Sequence, residues 1–307
     1  MKELSLFTRK NIMAGCIILA LIACTVWWCG GLKYLEGNSR KQTDGPLRVV
    51  TSSYITQVLA REIGGDLITL SMLVPPGTEP HHFEPTPGSI IAVNEADLFI
   101  YVSSVAEPWV TDILKGLAGT RTVEAAPVEP EDDPHVWMTP YGALSMAKRI
   151  ASALGKADPT HKSTYQNNLR NFEKSMSQLH EDLEAGLAAC QNRDVIHVGH
   201  LAFAPLTDAY NLHLSALTSG FHQGEHSVYK LTGLVRLIRN HRIPVVFTEE
   251  MVSGDLARTI ARETHVKILP LYTIEEVSKD DFTQGITYEQ YMRRNLKNLQ
   301  EGLKCKV

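Results

Sequence analysis

Four residues of this chain have the types and positions from which a metal site can be built. His81 lies in the loop after the apolar run at 67–74, and His135 sits in DPHVWMTP, ahead of a helical stretch. His200 directly follows the apolar run at 194–198, and Glu275 follows the run at 266–271. In α/β folds, ligands bind outside the carboxyl ends of strands, so side chains in such loops stand where chemistry is done. Three imidazoles with one carboxylate form a donor set that suits Zn(II) and similar borderline ions. The gaps between the four are 54, 65 and 75 residues. Local zinc motifs are far tighter, so convergence here has to come from tertiary structure. The chain has 12 histidines, and a histidine taken singly is ordinarily a surface or satisfied core residue.

The apolar pattern shows which elements must carry these loops. LRVVTS at 47–52 reads as a buried strand, followed by a helix over 53–63 that Gly64 and Gly65 stop. A strand at 67–74, a short helix at 88–94, a strand at 98–102 and a helix at 109–117 follow. Asp158 and Pro159 are an N-cap and a first-turn proline. Beyond them Tyr165, Leu169, Phe172, Met176, Leu179, Leu183 and Leu187 recur at helical spacing. That predicts one apolar face on a helix of about 30 residues, about 45 Å long. The alternation then restarts, with strands at 194–198, 213–216, 244–247 and 266–271 and helices at 201–210, 227–240, 254–264 and 288–303. The expected fold class is α/β, with two similar lobes joined by one long helix and the site in the cleft between them. The expected boundaries are 47–157 for the N-terminal lobe, 158–190 for the linking helix and 191–307 for the C-terminal lobe.

Composition narrows the function classes. The 307 residues are 44% hydrophobic, with 30 Lys plus Arg against 34 Asp plus Glu, a net charge of −4. This excludes a polytopic membrane protein and a wholly disordered chain, and no basic excess argues for nucleic acid. Lys2, Arg9 and Lys10 precede an apolar run at 12–23, about the length of a signal h-region. Leu21, Ile22, Ala23 and Cys24 resemble a bacterial lipobox, which implies cleavage after residue 23 and lipid attachment at Cys24. The apolar character continues to Leu32, so residues 11–32 also read as an uncleaved anchor. Either reading exports the body of the chain, with residues 24–46 as a tether. In the body only Cys190 and Cys305 remain, each after a predicted helix, as a disulfide or as two buried thiols.

PGTEPHHFEPTP, DPHVWMTP and GHLAFAPLTDAYNL, in that order, resemble the three histidine-bearing segments of the zinc and manganese substrate-binding proteins of ABC transporters. The resemblance covers about residues 47–305 and includes the long helix between lobes. It implies His81, His135 and His200 as metal ligands, with His82 at a position that varies. It places a fourth ligand on the loop LYTIEEVSKDDF, where Glu275 is preferred, Glu276 comes next and Asp280 stands behind. Glu249 in FTEEM either orients a histidine by accepting its other N–H or is an exposed strand-end carboxylate. His197 reads as structural. His222 and His226, in GFHQGEHSV, read as solvated loop histidines or as a minor second site. The long histidine-rich loop of many zinc members is replaced by the acidic VEPEDD.

The function implied is an extracytoplasmic receptor on the bacterial cell membrane. It would deliver Zn(II), with Mn(II) as the second choice, to a permease with a cytoplasmic ATPase. The expected chain is a monomer, not an enzyme, that closes by small tilts because a long helix resists a wide hinge. Neutral imidazoles must bind, so affinity should fall as pH drops through roughly 6.5. The competing readings are an exported zinc-dependent hydrolase, for which no HExxH or GxSxG is present, and a surface adhesin lipoprotein.

Overall fold

The computed structural model describes residues 45–129, 132–216, 228–250 and 255–306. The expected signal segment, Cys24, most of the tether, His222 and His226 lie outside the described residues. Residues 46–307 form one compact unit. It contains two four-stranded parallel sheets.

In the first sheet β1 (Leu47–Thr51), β2 (Ile68–Met72), β3 (Leu98–Tyr101) and β4 (Arg121–Glu124) run in the order β2-β1-β3-β4. In the second, β5 (Asp194–Val198), β6 (His213–Ala216), β7 (Val245–Glu249) and β8 (Lys267–Leu271) run in the order β6-β5-β7-β8. Every pair is parallel, from Leu47 opposite Ile68 to Val245 opposite Lys267. Parallel pairing requires a crossover between successive strands, and helices supply it. The order in each sheet reverses between its first and third strands, which marks β1/β3 and β5/β7 as the switch points where such folds bind ligands.

The first lobe carries α1 (Tyr54–Gly64), α2 (Pro87–Glu95), α3 (Val110–Lys115) and α4 (Pro140–Ala157). Next comes the long helix α5 (Lys162–Ala188). The second lobe carries α6 (Ala204–Ala209), α7 (Val228–His241), α8 (Asp255–Thr264), α9 (Lys279–Gln284) and α10 (Tyr288–Gly302). Among the central strands β3 is a continuous apolar run, LFIY, buried throughout because helices cover both sheet faces. Strand β4, absent from the elements expected from sequence, carries RTVE half exposed at the sheet edge and lacks an apolar run.

Helix α5 has 27 residues, about 40 Å, and starts three residues later than predicted. Pro159–His161 forms a 3₁₀ turn instead. Asp158 drives it by accepting from the His161 backbone N–H, the His161 ring and the Tyr165 hydroxyl. The predicted apolar face is otherwise present: Tyr165, Phe172, Met176, Leu179, Leu183 and Leu187 are all buried. Those residues join α1, α4 and α10 into one core that runs through both lobes. Two smaller cores cover the outer faces of the sheets, one around Phe99 and Trp109, the other around Ile196 and Val246.

The structure decides the cysteine question. Cys190, just past α5, and Cys305, just past α10, form a disulfide that closes a span of 115 residues. Reducing it, or replacing Cys305 by serine, should lower unfolding free energy by about 2–5 kcal/mol. Urea unfolding followed by circular dichroism, with and without reductant, measures this; coincident midpoints would show that the bond contributes nothing.

Candidate metal centre

Each of the four singled-out residues leaves the carboxyl end of a strand. His81 lies beyond β2, His135 beyond β4, His200 beyond β5 and Glu275 beyond β8. Two strands of each lobe therefore aim one donor apiece at the cleft. The four side chains are buried, His135 completely. Their donor atoms all lie within 4.8 Å of one another.

The three imidazoles meet through Nε2. His135 Nε2 is 3.4 Å from His81 Nε2 and 3.2 Å from His200 Nε2. Glu275 Oε2 is 3.3 Å from His81 Nε2 and 3.8 Å from His135 Nε2, and Oε1 is 3.4 Å from His200 Nε2. A tetrahedral zinc with bonds of 2.0–2.1 Å has donor–donor edges of about 3.3 Å. The donor set fits a four-coordinate ion in type, and the contacts of 3.2–3.8 Å lie near that edge length.

The outward nitrogens are also fixed. His81 Nδ1–H donates to the Ala106 carbonyl at 2.6 Å. His135 Nδ1–H donates to Asp133 Oδ1 at 2.7 Å, and His200 Nδ1–H donates to Glu249 Oε1 at 2.8 Å. An acceptor behind each ring puts the proton on Nδ1 and turns the Nε2 lone pair toward the centre. The same acceptors hold the backbone, since Asp133 Oδ1 takes the His135 N–H and Glu249 Oε1 the His200 N–H. Glu79 takes the His81 and His82 N–H groups.

Local backbone features position each donor. Ile274, a buried β-branched residue, has φ 65° just before Glu275. That left-handed conformation costs about 1–3 kcal/mol and turns the carboxylate inward. Gly199 precedes His200 because a Cβ there would collide with Glu249 Oε1. Gly142 opens α4 because a Cβ there would overlap the Val136 carbonyl of the turn that carries His135. Four further bonds join the lobes beside the site. Gly77 N–H donates to the Val277 carbonyl and Trp137 Nε1–H to the Thr273 carbonyl. The Tyr288 hydroxyl donates to Trp137 O and that of Tyr54 to Ile286 O.

At His81, His200, Glu275 and Glu249 burial opposes charge, but the partners outweigh it. At His81, Glu275 and the Ala106 carbonyl overcome burial and push the pKa up to about 9. At His200, burial is overcome by hydrogen bonds to Glu249 and Glu275, and the pKa rises to about 10. Burial alone would raise Glu275, yet His81 and His135 hold it well below the usual carboxylate range. Glu249 is lowered against burial chiefly by His200.

The other singled-out residues lie apart from the donors. Glu276 is half-buried outside the four-donor group; burial and the charges of Glu249 and Glu275 push it up to about 7. Asp280 is exposed on α9. His82 is exposed and paired with Glu79. His197 is fully buried, its Nδ1 3.1 Å from the His200 carbonyl, and burial pushes it down to about 4. Asp133 and the Ala106 carbonyl are not among the residues expected from sequence. Asp133 left a signal, because an Asp two residues before a histidine readily accepts its backbone N–H. The carbonyl left none.

A family model described as ZnuA, zinc-uptake complex component A, periplasmic, matches residues 49–302. The zinc-binding lipoprotein AdcA of Streptococcus pneumoniae is 27% identical over 324 residues, 98% of this chain; the chain spans 61% of that protein's length. The high-affinity zinc uptake system protein ZnuA of Bacillus subtilis is 28% identical over 316 residues, 95% of this chain and 98% of that one. The crystal structure of the Zn(II)-bound ZnuA-like domain of S. pneumoniae AdcA superposes with a TM-score of 0.74 at 28% identity, covering 84% of this chain and 99% of that domain.

Two outcomes follow from the geometry. Asp133→Ala should weaken Zn(II) binding by about 10–100-fold, because the ring it orients is freed; unchanged affinity in a folded variant would refute the orienting role. Below pH 9, His81 and His200 carry protons in the metal-free protein. These protons must leave before Nε2 can bind, so affinity should rise with pH up to about 9–10 rather than level off above 6.5. Calorimetry in buffers of different ionisation enthalpy should find about two protons released per ion at pH 7.5; buffer-independent heats would contradict this.

Proposed function

The chain belongs to the family of periplasmic zinc-uptake components, and from that premise we propose that it is an extracytoplasmic receptor that captures Zn(II) for an ABC importer. The observation that carries this reading is the convergence of three Nε2 atoms on one carboxylate, each ring tied at Nδ1 to an oxygen. His81, His135, His200 and Glu275 are the ligands in this reading. Nitrogen-rich donors of this kind favour Zn(II), and Mn(II) would bind less tightly.

Residues 47–157 and 191–307 act as two lobes, and residues 158–190 couple them. The cross-lobe bonds from Gly77, Trp137, Tyr288 and Tyr54 support capture by small tilts, because wide opening would break all four. The loaded receptor docks on a membrane permease whose cytoplasmic ATPase drives uptake. Cys24 carries the lipid that holds the receptor, a monomer, to the membrane, and residues 24–46 are its tether. With four protein donors around the ion no coordination position is left for a reacting water, which argues for a receptor rather than a hydrolase.

Calorimetry of chelator-stripped protein tests the assignment. One tight Zn(II) site is expected, lost in His135→Ala, weakened by at least tenfold in Glu275→Ala and unaltered in Glu276→Ala or Asp280→Ala. A tight site indifferent to Glu275 would move the fourth ligand, and absence of a tight site would overturn the receptor. Host-protein binding that survives metal removal would favour the adhesin.

A further inference from the structure

His135 and His200 are each oriented by a carboxylate, but His81 is oriented by a backbone carbonyl. A carbonyl aims a ring only as well as its own turn is held. The Ala106 carbonyl belongs to the segment that leaves β3, the strand at the switch point of the first sheet. In the second sheet the equivalent strand, β7, ends on Glu249, which holds His200 directly.

Glu107 stands next to Ala106. Its side chain turns back under the segment rather than toward the cleft, and it is almost fully buried. Glu107 Oε2 accepts the Val102 backbone N–H at 2.8 Å, which closes the turn across residues 102–107. Within it Ala106 N–H donates to Ser103 Oγ at 3.1 Å and Glu107 N–H to the Ser103 carbonyl at 2.9 Å. The buried Ser52 and Ser53 hydroxyls, where β1 passes into α1, lie beside the carboxyl. The same segment grips the His81 loop a second time, because Trp109 Nε1–H donates to the Pro80 carbonyl at 2.7 Å. A carboxyl this deeply buried, outside the four-donor group yet close enough to His81 to interact with its charge, is a costly residue to keep in a core. Here it ties the first lobe's switch point to the one ligand histidine whose Nδ1 faces a backbone carbonyl instead of a carboxylate.

We propose that Glu107 is the positioning residue for His81, acting through the Ala106 carbonyl as Glu249 acts on His200 directly. The proposal rests on the metal-capture reading for its affinity consequence, and on the hydrogen bonds alone for its effect on the His81 ring. Without the Glu107 carboxyl the 102–107 turn loosens, the Ala106 carbonyl drifts from Nδ1, and His81 loses its fixed direction.

The test is a double-mutant cycle on the purified, chelator-stripped chain, with Zn(II) as probe. Glu107→Ala should weaken Zn(II) binding by about 10–100-fold in the otherwise unaltered protein. In a His81→Ala background the same change should have no effect beyond about twofold. Glu107→Gln, which keeps an acceptor for Val102 N–H, should restore most of the affinity. An equal loss in both backgrounds would reveal a general structural role and overturn the proposal. So would undiminished affinity in a folded Glu107→Ala. Glu107→Asp, whose carboxyl falls one carbon short of Val102, takes its place if the alanine variant does not fold. A metal-free arm separates this inference from the receptor reading. The His81 Nδ1 proton, followed by ¹⁵N-edited NMR, should exchange slowly in the parent and in Glu107→Gln, and faster in Glu107→Ala or Glu107→Asp. If the parent binds no Zn(II) tightly, the receptor reading fails, and unchanged Nδ1 exchange would then overturn the role of Glu107 on its own.

Discussion

Three imidazole nitrogens and a carboxylate are packed within 4.8 Å of one another, away from bulk water, and much of the structure serves to hold them there. Lone pairs facing one another across about 3.3 Å repel unless a cation or shared protons lie between them. The metal-free site answers by keeping protons, which is why the pKa values of His81 and His200 climb while Glu275 stays ionised. A divalent ion would replace those protons with one compact charge and could satisfy all four groups. The arrangement is therefore better suited to an ion than to its own empty state, which is the physical condition for tight capture.

Holding such a cluster takes more than the four side chains. Oxygen acceptors behind the rings set tautomer and direction, and the strained Ile274 backbone turns Glu275 inward. Gly199 and Gly142 permit close approaches that a Cβ would block. Because the donors come two from each lobe, every constraint on lobe position is also a constraint on the ion. The core that runs through α5 and the cross-lobe bonds beside the site make the two sheets one mechanical body. In the proposed receptor a rigid frame would give selectivity through donor spacing and limit release to small relative movements.

The two lobes solve the same problem with one topology. Each is a four-strand parallel sheet that reverses between its first and third strands, and each brings an acidic residue from its switch region to a histidine. They differ in directness, with Glu249 at the ring itself and Glu107 one residue from the carbonyl that holds it. Among the described residues, covalent closure lies at the far end of α5, where Cys190 meets Cys305 away from the four donors.

The sequence by itself determined the α/β class and the long helix, and it pointed to three histidines and a choice of carboxylates as donors. Strand-sized apolar runs, the spacing from Tyr165 to Leu187 and three histidine segments in a known order are local signals that survive without coordinates. It also offered Glu275 ahead of Glu276 and Asp280, but through resemblance rather than through any property of the loop. Only the tertiary structure decided which of those carboxylates faces the rings, because that depends on a single left-handed residue, Ile274, which no propensity favours. The edge strand β4, the 3₁₀ start before α5 and the pairing of Cys190 with Cys305 were likewise settled in three dimensions. So were the groups behind the rings, since a backbone carbonyl such as that of Ala106 has no signature in a list of side chains. The proton affinities of the site belong there too, because they arise from charges brought together across gaps of more than fifty residues.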